Sequence, residues 1–575
     1  MSPIRVWAPD ARAVDIRANS RTLGMMKGDG GWWSSVDPIP TGTDYAFLID
    51  GEGPFPDPRS PYQPQGVHGP SRHVDHAAFP WTDQHWQPAP LSSAVIYELH
   101  IGTFTPEGTF DSARTRLDHL ASLGVTHVEL MPVQEFSGDW GWGYDGVDLY
   151  APYHVYGAPD DLKRLVDACH SKGLAVLLDV VYNHLGPTGN YLSRFGPYFT
   201  KKYSTPWGEA LNLDGPQSDE VRRFLCDNAL MWLRDYHIDG LRIDAIHAIF
   251  DVSATHFLEQ LAREVDELEA HSGRHLTLIA ESDLNDPRVV TPLEYGGYGI
   301  DAQWNDDFHH ALHTTLTGER SGYYEDFHGL VDLVKSLRDA FVYDGRYSPH
   351  RRRHHGRKPQ ALSGSRFVGF LQNHDQVGNR AKGERISQSM SLGRLQIGAA
   401  LVLCSPFVPL LFQGEEFGAS APFAYFTHHS DPDLASAVTE GRRAEFAAFG
   451  WRPEEIPDPQ ALETFSRAKL NWDEIDHEPH KTLLDWYRRL IALRNETPDL
   501  ADGDLSRVEV QFDDSQQWLT LTRRSVAVAC NLAGDGQSVP LPFDGTLLLA
   551  SDHHIRLNGT IAELPPESVV ITVNR

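Results

Sequence analysis

Eight short apolar segments through the middle of the chain, separated by helix-like stretches, constrain the fold more than any other feature. They cover 94–99, 125–131, 174–179, 240–243, 276–280, 302–304, 367–371 and 408–412, with 302–304 the poorest. Near-continuous apolar runs are what strands covered on both faces look like. One intervening stretch carries Leu162, Leu165, Val166 and Cys169, the i, i+3, i+4, i+7 spacing of a helix with one buried face. Strands alternating with such helices predict an α/β fold with a parallel sheet under helices. Eight strands is the number that closes a (β/α)8 TIM barrel.

The barrel is expected over 91–495, with loop insertions at about 185–217 and 305–362. Residues 1–90 carry short alternating strands, such as Tyr45-Ala46-Phe47-Leu48-Ile49, between Gly- and Pro-rich turns. They predict an N-terminal β-sandwich of immunoglobulin-like or carbohydrate-binding-like type. A helix with Leu483, Leu484, Tyr487, Leu490 and Ile491 closes the barrel, and 496–575 reads as a C-terminal antiparallel β-domain. The basic run Arg351-Arg352-Arg353-His354-His355 reads as a solvated loop.

Composition narrows the partners. The net charge is −29, from 50 Lys plus Arg against 79 Asp plus Glu. That acidity disfavours nucleic acid and anionic membranes and favours a neutral or cationic ligand. No signal-like N-terminus or membrane-length apolar run is seen. Cys169, Cys226, Cys404 and Cys530 stand singly among apolar neighbours, as reduced core residues would. The expectation is therefore a cytoplasmic protein, monomer or homodimer.

In a (β/α)8 barrel the chemistry lies at the C-terminal ends of the strands. Several of the predicted strands end in charge or carboxamide: Asp179-Val180-Val181-Tyr182-Asn183-His184, Arg242-Ile243-Asp244, Ala280-Glu281 and Gln372-Asn373-His374-Asp375. In Gly240-Leu241-Arg242-Ile243-Asp244 the charged pair alternates with the apolar pair, so Arg242 and Asp244 share a face. A fixed guanidinium favours the ionised form of a neighbouring carboxylate, which suits Asp244 to be a nucleophile; a structural ion pair is the alternative. Adjacent strands lie about 4.8 Å apart, so Asp244 and Glu281 can reach the separation of about 5–5.5 Å used by retaining glycosidases. Glu281 follows an apolar strand with no arginine beside it in sequence, so burial should raise its pKa and make it the acid/base. Asp375 would stabilise the transition state. In the loop after the second strand, Phe136, Trp140, Trp142 and Tyr144 are suited to stack on a hexose or, alternatively, to cap the barrel core.

These four strand ends resemble, in order and spacing, the signature regions of the α-amylase family of glycoside hydrolases. The resemblance implies a retaining double displacement on an α-glucoside, with Asp244 as nucleophile, Glu281 as acid/base and Asp375 as transition-state stabiliser. It further implies that Tyr144, Asp145, His184, Arg242 and His374 contact the sugar being cleaved. Three stretches resemble the trehalohydrolase branch of that family: Ala280-Glu281-Ser282-Asp283-Leu284-Asn285-Asp286, 301–310 and Asn373-His374-Asp375-Gln376-Val377-Gly378-Asn379-Arg380. They imply cleavage of the α-1,4 bond next to a terminal trehalosyl unit. The alternative is a glucan branching enzyme or another glucan hydrolase; all three carboxylates being present argues against a non-enzymatic scaffold.

Directed polar contacts are needed to tell trehalose from maltose, since shape alone gives about 1–3 kcal/mol. His247, Asp306, Asp307, Phe308, His309 and His310, with Gln376 and Asn379, are the residues expected to supply them, with helix capping by Asp306 or Asp307 the alternative use. His309 and His313 stand at i, i+4, a spacing that can hold zinc. No H-E-x-x-H pattern accompanies them, so no metal and no cofactor are expected.

Overall fold

The computed structural model describes residues 3–447 and 451–574. Eight parallel strands close into a barrel: β1 (Ile96–Leu99), β2 (His127–Leu130), β3 (Ala175–Val180), β4 (Gly240–Ile243), β5 (Thr277–Ala280), β6 (Ala302–Trp304), β7 (Phe367–Phe370) and β8 (Val408–Phe412). Even the weak segment, β6, pairs with both neighbours, through Ala280↔Gln303 and Trp304↔Val368. Ring closure runs through Leu411↔Tyr97.

Period-two alternation sorts the strand residues. Ile96, Leu177, Ile279, Trp304, Phe370 and Leu410 belong to one apolar cluster filling the barrel. Strand residues such as Leu99, Leu130, Leu178, Leu241 and Leu278 join the larger core beneath the helices. Two residues farther along the inward face, the filling changes from apolar to charged, with Glu98, Asp179 and Glu281 following Ile96, Leu177 and Ile279. The chemistry therefore sits on an apolar floor.

Gly240 permits this arrangement. A Cβ there would lie 2.5 Å from the Thr277 carbonyl and 2.8 Å from Leu177, so only glycine lets β3, β4 and β5 approach this closely.

At the N-terminus, a sheet of Arg5–Trp7, Trp32–Ser34 and Met26–Lys27 accompanies a second built on Val14–Ala18 and Asp44–Ile49. Aromatic contacts seat it on the stretch after β3, with Trp7 on Tyr198 at 5.3 Å and Phe55 on Tyr191 at 5.4 Å. A five-stranded and a three-stranded antiparallel sheet follow residue 507. The four cysteines are buried and free. Among the described residues, no helix is long and apolar enough to cross a membrane.

The expected loop insertion at 305–362 has secondary structure of its own. It folds into helices Asp306–Thr317 and Leu330–Asp339 and the hairpin Asp344–Ser348 with Arg353–Gly356. Leu330, Leu333, Val334 and Leu337 form a buried stripe on the second helix. Much of its charge is satisfied internally, through Lys335–Asp344 at 2.7 Å and Arg346–Asp332 at 2.8 Å. Arg351, read as part of a solvated run, instead pairs with Asp283 at 2.9 Å. The other insertion carries a hairpin, Phe199–Thr205 with Gly208–Leu211, and Trp207 lies in its turn.

Candidate active site

Arg242 is the centre of the site. Its Nη1 donates to Asp179 Oδ2 at 2.7 Å and to Asp244 Oδ1 at 2.8 Å, and its Nη2 lies 3.4 Å from Glu281 Oε2. The guanidinium rests 4.2 Å above the Trp304 ring. A buried cation is tolerable only when matched, and here three strand ends supply carboxylates to one planar fork. Asp244 also accepts from Asn183 Nδ2 at 2.8 Å.

Asp244 and Glu281 follow paired residues, Ile243↔Ala280. The Glu281 amide donates to the Ile243 carbonyl at 3.0 Å. After Asp244 the chain turns sharply, with Ala245 at φ 41°. A left-handed backbone is unusual for a residue with a Cβ; here it accompanies the Ala245 amide donating to Glu281 Oε2 at 2.6 Å. Glu281, with no arginine beside it in sequence, therefore gains one from the neighbouring strand. Its pKa is nonetheless pushed up to about 8, because burial outweighs Arg242 and the Ala245 amide, and the Asp244 and Asp375 charges add to the rise.

A second chain of contacts runs from β1. Glu98 accepts from the His374 amide at 2.9 Å and from its ring Nδ1. The Tyr144 hydroxyl donates to Asp179 Oδ2 at 2.6 Å, so its oxygen is free to accept from His374 Nε2 at 2.8 Å. Both ring nitrogens of His374 then act as donors, which assigns it as an imidazolium. Burial alone would lower its pKa, but the Glu98 carboxylate outweighs burial and the pKa is raised. Burial, then Asp179, raises the Tyr144 pKa, so the phenol keeps the proton it donates.

The expected residues divide into those the structure brings to this rim and those it does not. Asp244, Glu281, Arg242, Tyr144, His184 and His374 are together. His184 bonds Asn183 Oδ1 through Nδ1 at 2.6 Å and stacks on Trp207 at 4.4 Å. Asp375 lies at the start of helix His374–Gly378, where Asn379 Nδ2 donates to its Oδ1 at 2.8 Å. Asp306 is half-buried and its pKa is raised well above the carboxylate range by burial, then by Glu281, Asp283 and Asp375. It therefore lies within electrostatic reach of the same carboxylates. His247 is exposed. Asp145 stands to one side, accepting from Thr427 at 3.4 Å. Gln376 is half-buried, its backbone N–H donating to Asn373 Oδ1.

Asp307, Phe308, His309 and His310 do not reach the rim as expected. Phe308 is fully buried against Phe407. His309 bonds the Tyr324 hydroxyl, and His310 packs on Phe327; burial drives both imidazoles below their usual pKa. His313 pairs with Glu319 at 2.8 Å. The helix is capped by Asn305, which accepts from the Phe308 amide at 3.1 Å, and not by either aspartate. Of the four aromatics, Phe136 stacks on Tyr153 at 3.9 Å and Trp142 is buried in a cluster with Met131, Phe412 and Phe423. Only Trp140 and Tyr144 of that group stay half-exposed.

Asp307 accepts from Asn285 Nδ2 and from the Val342 and Tyr343 amides, at 2.8, 2.6 and 2.7 Å. It ties two stretches of chain to the helix, with all three bonds on Oδ2. Orphaning a buried donor costs about 1–3 kcal/mol, and Asp307→Ala would orphan several. We expect this variant to melt several degrees lower while losing activity equally on trehalose-ended and plain glucans. A normal melting temperature with a loss confined to the trehalose-ended substrate would restore the recognition role.

The sequence reading did not single out Glu98 or Trp207. Glu98 had a visible signal, a carboxylate inside an apolar strand. Trp207 had none, because its contact with His184 depends on how the hairpin folds back.

Residues 77–204 match the family described as alpha amylase, catalytic domain, and residues 503–571 match a domain of unknown function, DUF3459. The malto-oligosyltrehalose trehalohydrolase of Rhizobium sp. (strain M-11) is 50% identical, over 98% of this chain and 96% of its own. That of Arthrobacter ramosus is 51% identical, over 95% of each. A crystal structure from Salmonella typhimurium, provisionally assigned as an α-amylase, is 39% identical with a TM-score of 0.92, covering 100% of this chain and 97% of that one.

Proposed function

Because the chain belongs to the malto-oligosyltrehalose trehalohydrolases of the α-amylase family, we propose that it hydrolyses the α-1,4-glucosidic bond next to the terminal trehalosyl unit of a malto-oligosyltrehalose and releases trehalose. Asp244 attacks the anomeric carbon while Glu281 gives its proton to the departing glycosidic oxygen. Glu281, now ionised, takes a proton from water as that water opens the glucosyl ester on Asp244. Two inversions leave the configuration retained. Asp375 faces the positive charge that develops on the sugar ring. His374 and Tyr144, held by Glu98 and Asp179, offer donors to the hydroxyls of that sugar.

The observation that carries this mechanism is the sharing of Arg242 between Asp244 and Glu281. One guanidinium touching both carboxyl groups, on paired adjacent strands, supports the short separation of a retaining pair over the wider gap that must admit a water. Burial favours a protonated Glu281, the form a general acid needs. Asp306 and His247 remain as the groups to read the trehalosyl end. The protein works on this substrate without cofactor or metal, as a cytoplasmic monomer or homodimer.

The test is incubation of the protein with maltotriosyltrehalose and, separately, with amylose. Stoichiometric trehalose from the first and no new α-1,6 branches in the second is expected. Branch formation without trehalose would make it a branching enzyme.

The pH profile follows from Glu281. Its acid form starts the reaction, and its pKa is raised from 4.5 to about 8. The value of kcat/KM should therefore hold through neutrality and fall as pH rises through about 8. A descending limb near the ordinary carboxyl range, measured from pH 4 to 10, would show that burial does not tune this group.

A further inference from the structure

We propose that Arg442 is a positioning residue for Asp375, acting through the side-chain amide of Asn379. The inference rests on the reading of Asp375 given above and extends it to a helix outside the barrel.

Asp375 Oδ1 accepts from Asn379 Nδ2 at 2.8 Å, one turn away. The two ends of a carboxamide have nearly the same shape and opposite hydrogen-bonding character. With its nitrogen toward Asp375 the amide holds the carboxylate; turned over, it would set an oxygen against an oxygen. Something must therefore fix which end points inward.

Arg442 does so. Its Nη1 donates to Asn379 Oδ1 at 3.0 Å. Only the carbonyl end can accept that bond, so the NH2 end is left facing Asp375. Its Nη2 donates to the Gly378 carbonyl at the end of helix His374–Gly378. The guanidinium fork thus takes two acceptors from successive residues, which a lysine ammonium cannot match in one geometry.

Arg442 comes from the helix Pro432–Ala447, beyond β8. Its side chain is 13% exposed and is placed between the Tyr425 ring at 5.4 Å and the Phe446 ring at 4.5 Å, with Glu445 Oε2 3.0 Å from Nη1. Most of that helix faces solvent. A surface helix is thereby connected through two hydrogen bonds to a carboxylate of the site, although Arg442 bonds none of the proposed reacting groups itself.

The experiment measures kcat and KM on maltotriosyltrehalose for full-length wild type, Arg442→Gln, Arg442→Lys, Asn379→Ala and the Arg442→Gln/Asn379→Ala double variant, with Asp375→Asn as reference. Arg442→Gln should lower kcat about tenfold or more and leave KM within about twofold, because orientation of a transition-state group matters little to ground-state binding. The double variant should be no slower than the worse single one, since both break the same chain. Arg442→Lys should recover part of the loss. A kcat within twofold of wild type, a rise in KM alone, or losses that multiply in the double variant would each overturn the proposal. Circular dichroism reports on folding; if Arg442→Gln fails to fold, Arg442→Lys replaces it in the same double-variant comparison. An active Asp375→Asn would remove the premise and with it the role given to Asp375. An inactive one, with no coupling between Arg442 and Asn379, would overturn this inference and leave the proposed function standing.

Discussion

Asp244→Asn is expected to lower kcat by about four orders of magnitude or more and to leave the fold in place. The amide is nearly the size of the carboxylate but cannot attack the anomeric carbon, and loss of a covalent nucleophile has effects of this size in other hydrolases. The structural cost is smaller. Asp244 accepts from Arg242 with one oxygen and from Asn183 with the other. An asparagine offers one oxygen, so one donor loses its partner at about 1–3 kcal/mol. Arg242 keeps Asp179 and Glu281, which holds the strand ends together. Far-UV circular dichroism and trehalose release on the same sample decide the matter. Turnover above a few per cent of wild type, with contamination excluded, would take the nucleophile's role away from Asp244.

Glu281→Gln should be nearly as inert on the natural substrate, because a sugar leaving group needs a proton and general acids contribute about 10²–10⁴-fold. With α-glucosyl fluoride the leaving group needs less help, so the first step should partly recover. The same substitution should stabilise the fold at alkaline pH. Glu281 has its pKa raised from 4.5 to about 8, so the folded state resists its ionisation. Its contribution is fully present below about pH 4.5 and is lost as pH rises through about 8, with an upper bound of about 5 kcal/mol. Glutamine does not titrate, so the variant should melt above wild type at pH 8.5, and the gap should close toward pH 4.5. Undiminished rates on both substrates, or no gain in melting temperature at any pH, would show that Glu281 is neither the acid nor a strained group.

The barrel was legible because a strand covered on both faces leaves an apolar run, and β3 and β8 read directly from Leu174–Asp179 and Val408–Phe412. The charged strand ends were legible for the same reason, since a carboxylate is conspicuous where an apolar run stops. Side-chain partners set by tertiary packing were not. Arg242 reaches Glu281 across a strand register, Ile243↔Ala280, that the chain order does not state. Glu98 and His374 meet across 276 positions. The aromatic loop after β2 suits sugar stacking and core capping equally in sequence, and only the fold decides that Trp142 is walled in by Phe423 from the stretch after β8. The helix Asp306–Thr317 misled most: its run of aspartates and histidines looks like a polar rim, but Asp307 closes three hydrogen bonds and His309 and His313 are buried with Tyr324 and Glu319 as partners. Burial of polar residues in matched sets leaves no periodic signature in a single sequence.

The central claim is that Asp244 and Glu281 perform a retaining displacement beside a trehalosyl unit. Time-resolved proton NMR of maltotriosyltrehalose hydrolysis tests bond and stereochemistry in one experiment. The account predicts trehalose and maltotriose in equal amounts, with the maltotriose reducing end appearing first as the α-anomer and the β-anomer growing in only as mutarotation proceeds. A β-anomer in the first spectra, or free glucose in place of trehalose, would contradict it.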